Sequence, residues 1–246
     1  MTNLHKKKFS ERIKENYFHM IEEYKGREKS DHWKNYFDKN FKNKIEKFNL
    51  SEFRKKNLFS KRLTAGMEDV FGFYDTLSPL INFISENNKQ DLVDLSDISV
   101  GKPNFYNFNG IKTNYNEIFI IRQMITIYNS LNKNHKYICE IGGGFGSLAS
   151  KLKKKINDST IILIDLPESL ILQTYYLNQI YPNSKFCLYD DFLKLNNQQL
   201  NKLDYDFVLI PPWVKNKLVG NLEIDCFINS HSFQEMDKDV VNEYFN

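Results

Sequence analysis

The chain has few cysteines and no pattern that would pair them. Its 246 residues include three, Cys139, Cys187 and Cys226. Each stands alone inside an apolar run, without the close spacing of a zinc knuckle or a disulfide framework. We therefore interpret them as small buried hydrophobic residues of a protein from a reducing compartment.

The sequence also has only a small excess of basic over acidic residues and no long apolar run. The net charge is only +3. Because a nucleic-acid-binding surface usually needs a larger basic excess, we expect no nucleic-acid partner. No apolar run approaches the length of a membrane span, and the polar, basic start of the sequence lacks the pattern of a signal peptide. We expect a cytoplasmic protein without a membrane span.

The texture of the sequence changes near residue 131. Up to that point apolar residues recur mostly at helical spacing, as in residues 13–24 and 33–48. Asn114 and Glu117 have the spacing of a helix cap and its reciprocal partner. This pattern predicts a helix that begins after Asn114 and runs to about residue 131. We predict a mainly helical N-terminal region over residues 1–131.

Beyond residue 134 short β-rich runs alternate with helical segments, which is typical of an α/β fold with a parallel sheet. The first strand, a glycine turn, a helix and the second strand form a right-handed βαβ unit. We predict a Rossmann-like domain over residues 132–246. Its five predicted strands cover residues 137–141, 160–165, 186–189, 206–210 and 224–229.

The glycine turn "GGGFG" follows the first predicted strand and the acid Glu140. A dinucleotide fingerprint would need a further glycine where Ser147 stands, and no Gly-Lys-Ser/Thr follows as in a P-loop. The pattern suits a ligand without a pyrophosphate. Glycines let the backbone pass close to a nucleoside and an amino-acid moiety, and Glu140 can meet an ammonium group. The turn's glycines are Gly142, Gly143, Gly144 and Gly146.

An acid also ends the second predicted strand, about 20 residues past the turn, where a carboxylate can accept both ribose hydroxyls. This acid is Asp165 in "IILIDLPES", followed by Leu166. The alternative is a helix cap for the helix that begins at Pro167, after a turn that holds no ligand. Since the turn and the acid occur together at this spacing, we favour a nucleoside-type ligand held by the turn, Asp165 and Leu166.

Three stretches, "EIGGGFGSLA", "IDLPESLILQTYYL" and "DCFINSHSFQEM", resemble class I S-adenosylmethionine-dependent methyltransferases. More narrowly, they resemble the sugar O-methyltransferase family of bacterial surface-polysaccharide loci. The resemblance implies a Rossmann-like sheet that binds S-adenosylmethionine at the C-terminal ends of its strands, with the helical N-terminal region helping to enclose the acceptor. It implies methyl transfer to a hydroxyl of a sugar or glycan precursor in polysaccharide biosynthesis.

Methyl transfer to a hydroxyl needs the acceptor oxygen held close and relieved of its proton. His231 is our first candidate base, because an ordinary histidine pKa suits proton removal near neutral pH. Glu235 is the second candidate, or a hydrogen-bond partner of the acceptor. The alternatives are a hydrogen-bonded loop histidine and a charge at a helix N-terminus. Predicted acceptor contacts are Asn229, Ser232 and Trp213, whose indole can stack on a sugar face.

Asp190 and Asp191 follow the apolar run "KFCLY" and are predicted to receive the adenine amino group, as an acid after the third strand does in the wider class. The alternative is that "DFVLIPPW", residues 206–213, forms the third strand. The run "KFCLY" is then an extra strand whose aspartates cap a helix. No histidine or third acid lies nearby, so we predict no metal.

Five predicted strands are fewer than the seven of class I methyltransferases. We therefore expect a sheet with an incomplete C-terminal half and an apolar edge that favours association into a homo-oligomer. Two alternatives to a sugar O-methyltransferase stay open. One is a non-catalytic binding or interaction module derived from such an enzyme, and the other is an O-methyltransferase for a non-sugar small molecule.

Overall fold

The computed structural model describes residues 3–24, 50–55, 79–84, 86, 99–108, 111–131 and 135–245. The predicted helical stripe at residues 33–48 lies outside them. The labelled helices are α1 (Asn3–Glu23), α2 (Tyr115–Ser130), α3 (Ser147–Lys155), α4 (Pro167–Ile180), α5 (Tyr189–Lys194), α6 (Asn197–Leu200), α7 (Lys215–Val219) and α8 (Lys238–Asn242). The strands are β1 (Tyr106–Phe108), β2 (Ile111–Thr113), β3 (Tyr137–Ile141), β4 (Thr160–Ile164), β5 (Phe186–Cys187), β6 (Phe207–Ile210) and β7 (Cys226–Asn229).

Five of these strands form a parallel sheet in the order β5-β6-β4-β3-β7. β3 pairs with β4 on one side and with β7 on the other. β6 lies between β4 and the short edge strand β5. Each strand falls inside its predicted range, so the prediction of an α/β fold with a parallel sheet, compatible with a Rossmann-like domain, is confirmed.

The central strands are buried at every position, as strands of a parallel sheet covered on both faces should be. Their near-continuous apolar runs, "YICEI" and "TIILI", explain why they form the centre. Cys139 on β3 and Cys187 on β5 lie in the core, and Cys226 is half-buried on β7. Among the residues with assigned structure, no helix is long and apolar enough to cross a membrane.

The chain divides into two compact units. The first, which we call the sheet unit, comprises residues 1–48, 135–145 and 158–246; the second unit comprises residues 49–134 and 146–157. This division differs from the predicted boundary at residue 131. The reason is packing: α1 lies on α4 and α5 in the sheet unit, whereas α3 lies on α2 in the second unit.

In the second unit α2 begins at a side-chain cap. The Asn114 Oδ1 atom accepts a hydrogen bond from the Glu117 backbone N–H at 2.9 Å, which confirms the predicted cap. The reciprocal hydrogen bond from the Asn114 backbone N–H to the Glu117 side chain is not formed. The Glu117 carboxylate accepts instead from Arg54 Nη2 at 2.9 Å and from Lys151 Nζ at 2.5 Å, and all three side chains are fully buried.

Candidate functional site

The glycine turn joins β3 to α3 through a backbone that other residues rarely adopt. Gly142, Gly144 and Gly146 have φ angles of +71°, +60° and +90°. The Gly142 backbone N–H donates to the Ile164 carbonyl oxygen at 3.0 Å, so the turn starts from the carboxyl ends of β3 and β4. Left-handed backbone at three of the four glycines explains why this segment is rich in glycine.

Two predicted site residues press against the turn. A Cβ atom on Gly142 would lie 2.2 Å from Ser232 Oγ, and one on Gly143 would lie 3.0 Å from Glu140 Oε2. No side chain at either position fits without displacing its neighbour. The turn therefore meets Glu140 from β3 and Ser232 from the loop after β7, residues that are 92 positions apart in sequence.

Glu140 is a buried acid with an unsatisfied oxygen. Its side chain is almost fully enclosed, and within the described part of the chain Oε2 has no hydrogen-bond partner. Burial, with the charge of Asp165 added, raises the pKa of Glu140 to about 8. An unpaired buried carboxyl oxygen is costly, so it calls for a donor that the chain itself does not supply here.

Asp165 directly follows β4 and is half-buried. Its Oδ1 atom accepts from the Leu166 backbone N–H at 2.7 Å, and its Oδ2 atom accepts from Gln173 Nε2 at 2.6 Å. Burial raises the pKa of Asp165 to about 7, against the hydrogen bonds from Leu166, Gln173 and Ser169, which lower it.

The contacts of Asp165 differ from those of the helix cap considered as the alternative. Leu166, not Asp165, is the N-cap residue of α4, and this helix start has no side-chain cap hydrogen bond. Asp165 instead accepts from the Leu166 backbone N–H and from the side chains of Ser169 and Gln173. A carboxylate has about four lone-pair sites on two oxygens, so it can accept further hydrogen bonds from ligand hydroxyls. The contacts within the chain therefore leave room for a ligand contact at this residue.

Gln173 is a site residue that sequence reasoning missed. It is fully buried, and its Nε2 atom donates both to Asp165 Oδ2 and to the Gly144 carbonyl oxygen, the latter at 3.1 Å. Its Oε1 atom has no partner in the described structure. A sequence signal exists, because Ser169 and Gln173 are polar residues one turn apart on the apolar helix "PESLILQTYYLNQI".

Asn229 and Ser232, the predicted acceptor contacts, fasten the loop after β7 to the end of β3. Asn229 Nδ2 and Ser232 Oγ each donate to the Ile141 carbonyl oxygen at 3.0 Å. Asn229 Oδ1 also accepts from the Phe233 backbone N–H at 3.2 Å. These bonds hold the loop in contact with the glycine turn.

The two candidate bases lie on the same loop. His231 is exposed and has a φ angle of +76°; Lys102 is the one other non-glycine residue in the described ranges with a positive φ. His231 directly precedes the 3-10 turn Ser232–Glu235, in which Glu235 is half-buried. A side chain held in left-handed backbone is uncommon and occurs preferentially at functional sites.

The sheet order bears on Asp190 and Asp191. β6 lies next to β4, and β5 is the edge strand. The condition for assigning the two aspartates to adenine, that "KFCLY" is the third strand, is therefore not met. Asp191 Oδ2 accepts from the Leu188 backbone N–H at 2.9 Å at the start of α5. Asp191 also pairs with Arg12 of α1, and Asp190 Oδ1 lies 2.5 Å from His19 Nδ1.

Trp213 follows β6 and is half-buried. Its Nε1 atom donates to the Tyr189 hydroxyl at 3.4 Å, and its ring lies 5.7 Å from the Tyr24 ring. The Tyr189 hydroxyl in turn donates to Glu23 at the end of α1. This group places aromatic surface after β6, at the carboxyl end of the sheet.

The electrostatic character of the site is acidic. Glu140, Asp165 and Glu168 are close enough that charge on one raises the pKa of the next. No lysine, arginine or histidine side chain pairs with Glu140 or Asp165 within the described ranges. A site of this kind suits a positively charged ligand with hydrogen-bond donors.

The same ranges contain no group of three or more His, Cys, Asp or Glu residues arranged to hold a metal ion. Comparison of the chain with family models, with curated proteins and with solved structures finds no match.

Proposed function

We propose that this chain binds S-adenosylmethionine at the glycine turn and transfers a methyl group to a hydroxyl of a sugar or glycan precursor. The observation that carries the proposal is the pair of neighbouring acids, buried Glu140 and half-buried Asp165, at the carboxyl ends of adjacent parallel strands. Neither acid has a cationic partner among the residues described. A cationic nucleoside supplies the positive charge that both acids lack and a donor for the unsatisfied oxygen of Glu140.

The residues fit this cofactor better than they fit a dinucleotide. Glu140 Oε2 is an orphaned buried acceptor beside Gly143, which suits the ammonium of the amino-acid moiety. Asp165 retains lone pairs for ribose hydroxyls. A pyrophosphate would instead bring negative charge against a buried carboxyl group, which raises the cost of burial.

When bound, the cofactor supplies an activated methyl group on a positively charged sulfur. The chain's own part is positional and electrostatic. Left-handed glycines let the backbone come close to the ligand, and Glu140 and Asp165 hold it by hydrogen bonds. We assign removal of the acceptor proton to His231, with Glu235 as second candidate.

The sugar class of the acceptor rests on the resemblance of the three stretches "EIGGGFGSLA", "IDLPESLILQTYYL" and "DCFINSHSFQEM", and we keep Trp213 as the proposed stacking surface. Asn229 and Ser232 act in this proposal by fixing the loop against Ile141. Asp190 and Asp191 are left out of the proposed cofactor site, because their contacts are with the start of α5 and with α1.

The cofactor assignment is tested by calorimetric titration of S-adenosylmethionine and S-adenosylhomocysteine into the full chain. Asp165→Ala should abolish binding, because it removes the ribose acceptor. Asp158→Ala, at an exposed aspartate ahead of β4, is the matched control and should bind as the wild type does. A folded wild type that binds neither compound would refute the assignment.

Transfer is tested separately, by following S-adenosylhomocysteine formation with nucleotide-linked and lipid-linked sugars as acceptors. His231→Ala should lower kcat by about 10²-fold or more while leaving cofactor binding intact. Cofactor binding without turnover on any acceptor would favour the non-catalytic module.

A further inference from the structure

We propose that Gln173 is a positioning residue that ties the glycine turn to Asp165 and holds this carboxylate in the orientation and the ionised form that a ligand requires. The ligand's identity in this inference rests on the proposed function. The link itself rests on contacts within the sheet unit.

The first step is geometric. One carboxamide nitrogen, Gln173 Nε2, donates to Asp165 Oδ2 at 2.6 Å and to the Gly144 carbonyl oxygen at 3.1 Å. Both acceptors are oxygens, so the opposite amide orientation would set oxygen against oxygen, and the contacts fix which atom is nitrogen. The side chain is fully buried and thus has one well-defined environment.

The Gln173 side chain links two segments of the sheet unit. Gly144 belongs to the turn after β3, whereas Asp165 follows β4 and leads into α4. A second contact joins the same two segments, because the Phe145 ring meets the Tyr176 ring edge-on at 5.0 Å, one helical turn beyond Gln173. The polar bond and the ring contact together keep the turn in register with α4.

The third step is electrostatic. Asp165 faces the charges of Glu140 and Glu168, and burial raises its pKa to about 7. Donors from Leu166, Gln173 and Ser169 act in the opposite direction. Because this pKa lies near neutral pH, loss of one donor moves the carboxyl group towards the protonated form, which offers a ligand fewer acceptor sites.

Substitutions at Gln173 and its neighbours on α4 can remove these hydrogen bonds selectively. Within the described structure Gln173 Oε1 has no partner, so Gln173→Met removes the two donated bonds and little else. Gln179 lies on the exposed side of the same helix, which makes Gln179→Met the matched control. Ser169→Ala removes another donor to Asp165 but leaves the bond to Gly144.

The primary experiment uses the ligand-free full chain. The Asp165 carboxyl group is titrated by carbon-13 NMR, and amide hydrogen exchange is measured at Gly144 and Phe145. Gln173→Met should lower the acid dissociation constant of Asp165 about tenfold and speed exchange at both amides. Ser169→Ala should shift the titration alone, and Gln179→Met should change neither. An unshifted Asp165 titration in folded Gln173→Met would overturn the inference.

Gln173→Glu is the second variant, because it keeps the shape of the side chain. It sets a carboxyl group against Asp165, so the Asp165 titration must again shift to higher pH, and an unchanged titration refutes the link even if the methionine variant does not fold.

Ligand binding adds an independent arm. S-adenosylmethionine should bind Gln173→Met about tenfold more weakly than wild type at pH 7, with the difference narrowing at pH 9, where Asp165 is ionised in both. An equal loss of affinity at both pH values would contradict the claim that Gln173 favours the ionised form of Asp165. If the wild type binds no S-adenosylmethionine, the proposed function fails, while the ligand-free titration still decides the role of Gln173.

Discussion

Two buried acids in this chain have opposite surroundings. Glu117, in the second unit, lies between the buried cations Arg54 and Lys151. Glu140, in the sheet unit, has an oxygen without a hydrogen-bond partner in the described structure and a neighbouring acid, Asp165. Both side chains are almost fully enclosed.

The surroundings of a buried acid indicate its role. An acid whose two oxygens meet two cations has its charge balanced within the chain, so it fixes the packing of the segments that carry it. An acid left without a cation raises the free energy of the fold unless it takes up a proton or a ligand. We therefore assign structure to Glu117 and ligand binding to Glu140 and Asp165.

The largest expected effect is that of Glu117→Gln. It leaves Arg54 and Lys151 buried without a countercharge, which should lower the free energy of unfolding by about 3–5 kcal/mol. Loss of the Glu117 charge also removes an interaction that keeps the Lys151 ammonium protonated, since burial lowers the pKa of Lys151 and Glu117 opposes that. Denaturant unfolding followed by circular dichroism measures the change.

Glu52→Gln is the control for that substitution. Glu52 pairs with Lys102 at 2.6 Å, but the lysine is exposed and the acid is partly so. Because water screens such an exposed pair, it contributes little to the free energy of unfolding. Equal destabilisation by Glu52→Gln and Glu117→Gln would mean that the buried pairs carry no special weight.

Glu140→Gln should have a smaller effect on stability, and of opposite sign. At pH 9 the variant should melt at a higher temperature than wild type, by a few degrees, because it removes a charge that burial disfavours. At pH 5, where Glu140 is protonated, the two proteins should melt alike. A variant that is less stable than wild type at pH 9 would show that the Glu140 charge has a partner after all.

The pH dependence follows from the direction of the shifts. Unfolded Glu and Asp side chains lose their protons near pH 4, whereas burial raises the pKa of Glu140 to about 8 and that of Asp165 to about 7. Between these values the folded state binds more protons than the unfolded state, so the contribution of both acids to stability falls as pH rises from about 4 to 8. Glu140→Gln should flatten this fall.

The smallest expected effect belongs to the contacts of α1. His19 and Arg12 pair with Asp190 and Asp191 at partly exposed positions, so His19→Ala should lower the free energy of unfolding by at most about 1 kcal/mol. The hydrogen bond with Asp190 raises the pKa of His19. The contribution is therefore present at low pH and lost as pH rises through the histidine titration. Unfolding at pH 6 and pH 8.5 tests this, and a larger loss at pH 8.5 contradicts it.

The sequence predicts the central part of the sheet unit well. β3 and β4 are continuous apolar runs on either side of a glycine turn, and these patterns determine local structure directly. Sheet order is different, because it depends on which strand pairs with β4. Local pattern did not decide between "KFCLY" and "DFVLIPPW", and the choice changes the surroundings of Asp190 and Asp191.

Polar contacts between residues far apart in the sequence could not be predicted either, because local pattern does not specify them. Glu117 meets Arg54 and Lys151, which lie 63 and 34 positions away, so no local spacing signals the cluster. Gln173 was overlooked although its position is informative. A lone amide on an apolar helix face is costly to bury unless something binds it.

The most direct test of the account counts protons released when S-adenosylmethionine binds. Calorimetric titrations at pH 7.5 in phosphate and in Tris, whose ionisation enthalpies differ, give that number for wild type and for Glu140→Gln. If the cationic ligand binds the ionised form of these acids, the wild type releases protons on binding and Glu140→Gln releases fewer. Binding with no proton release in the wild type would contradict the claim that Glu140 and Asp165, two acids without a cationic partner in the described structure, form the ligand site.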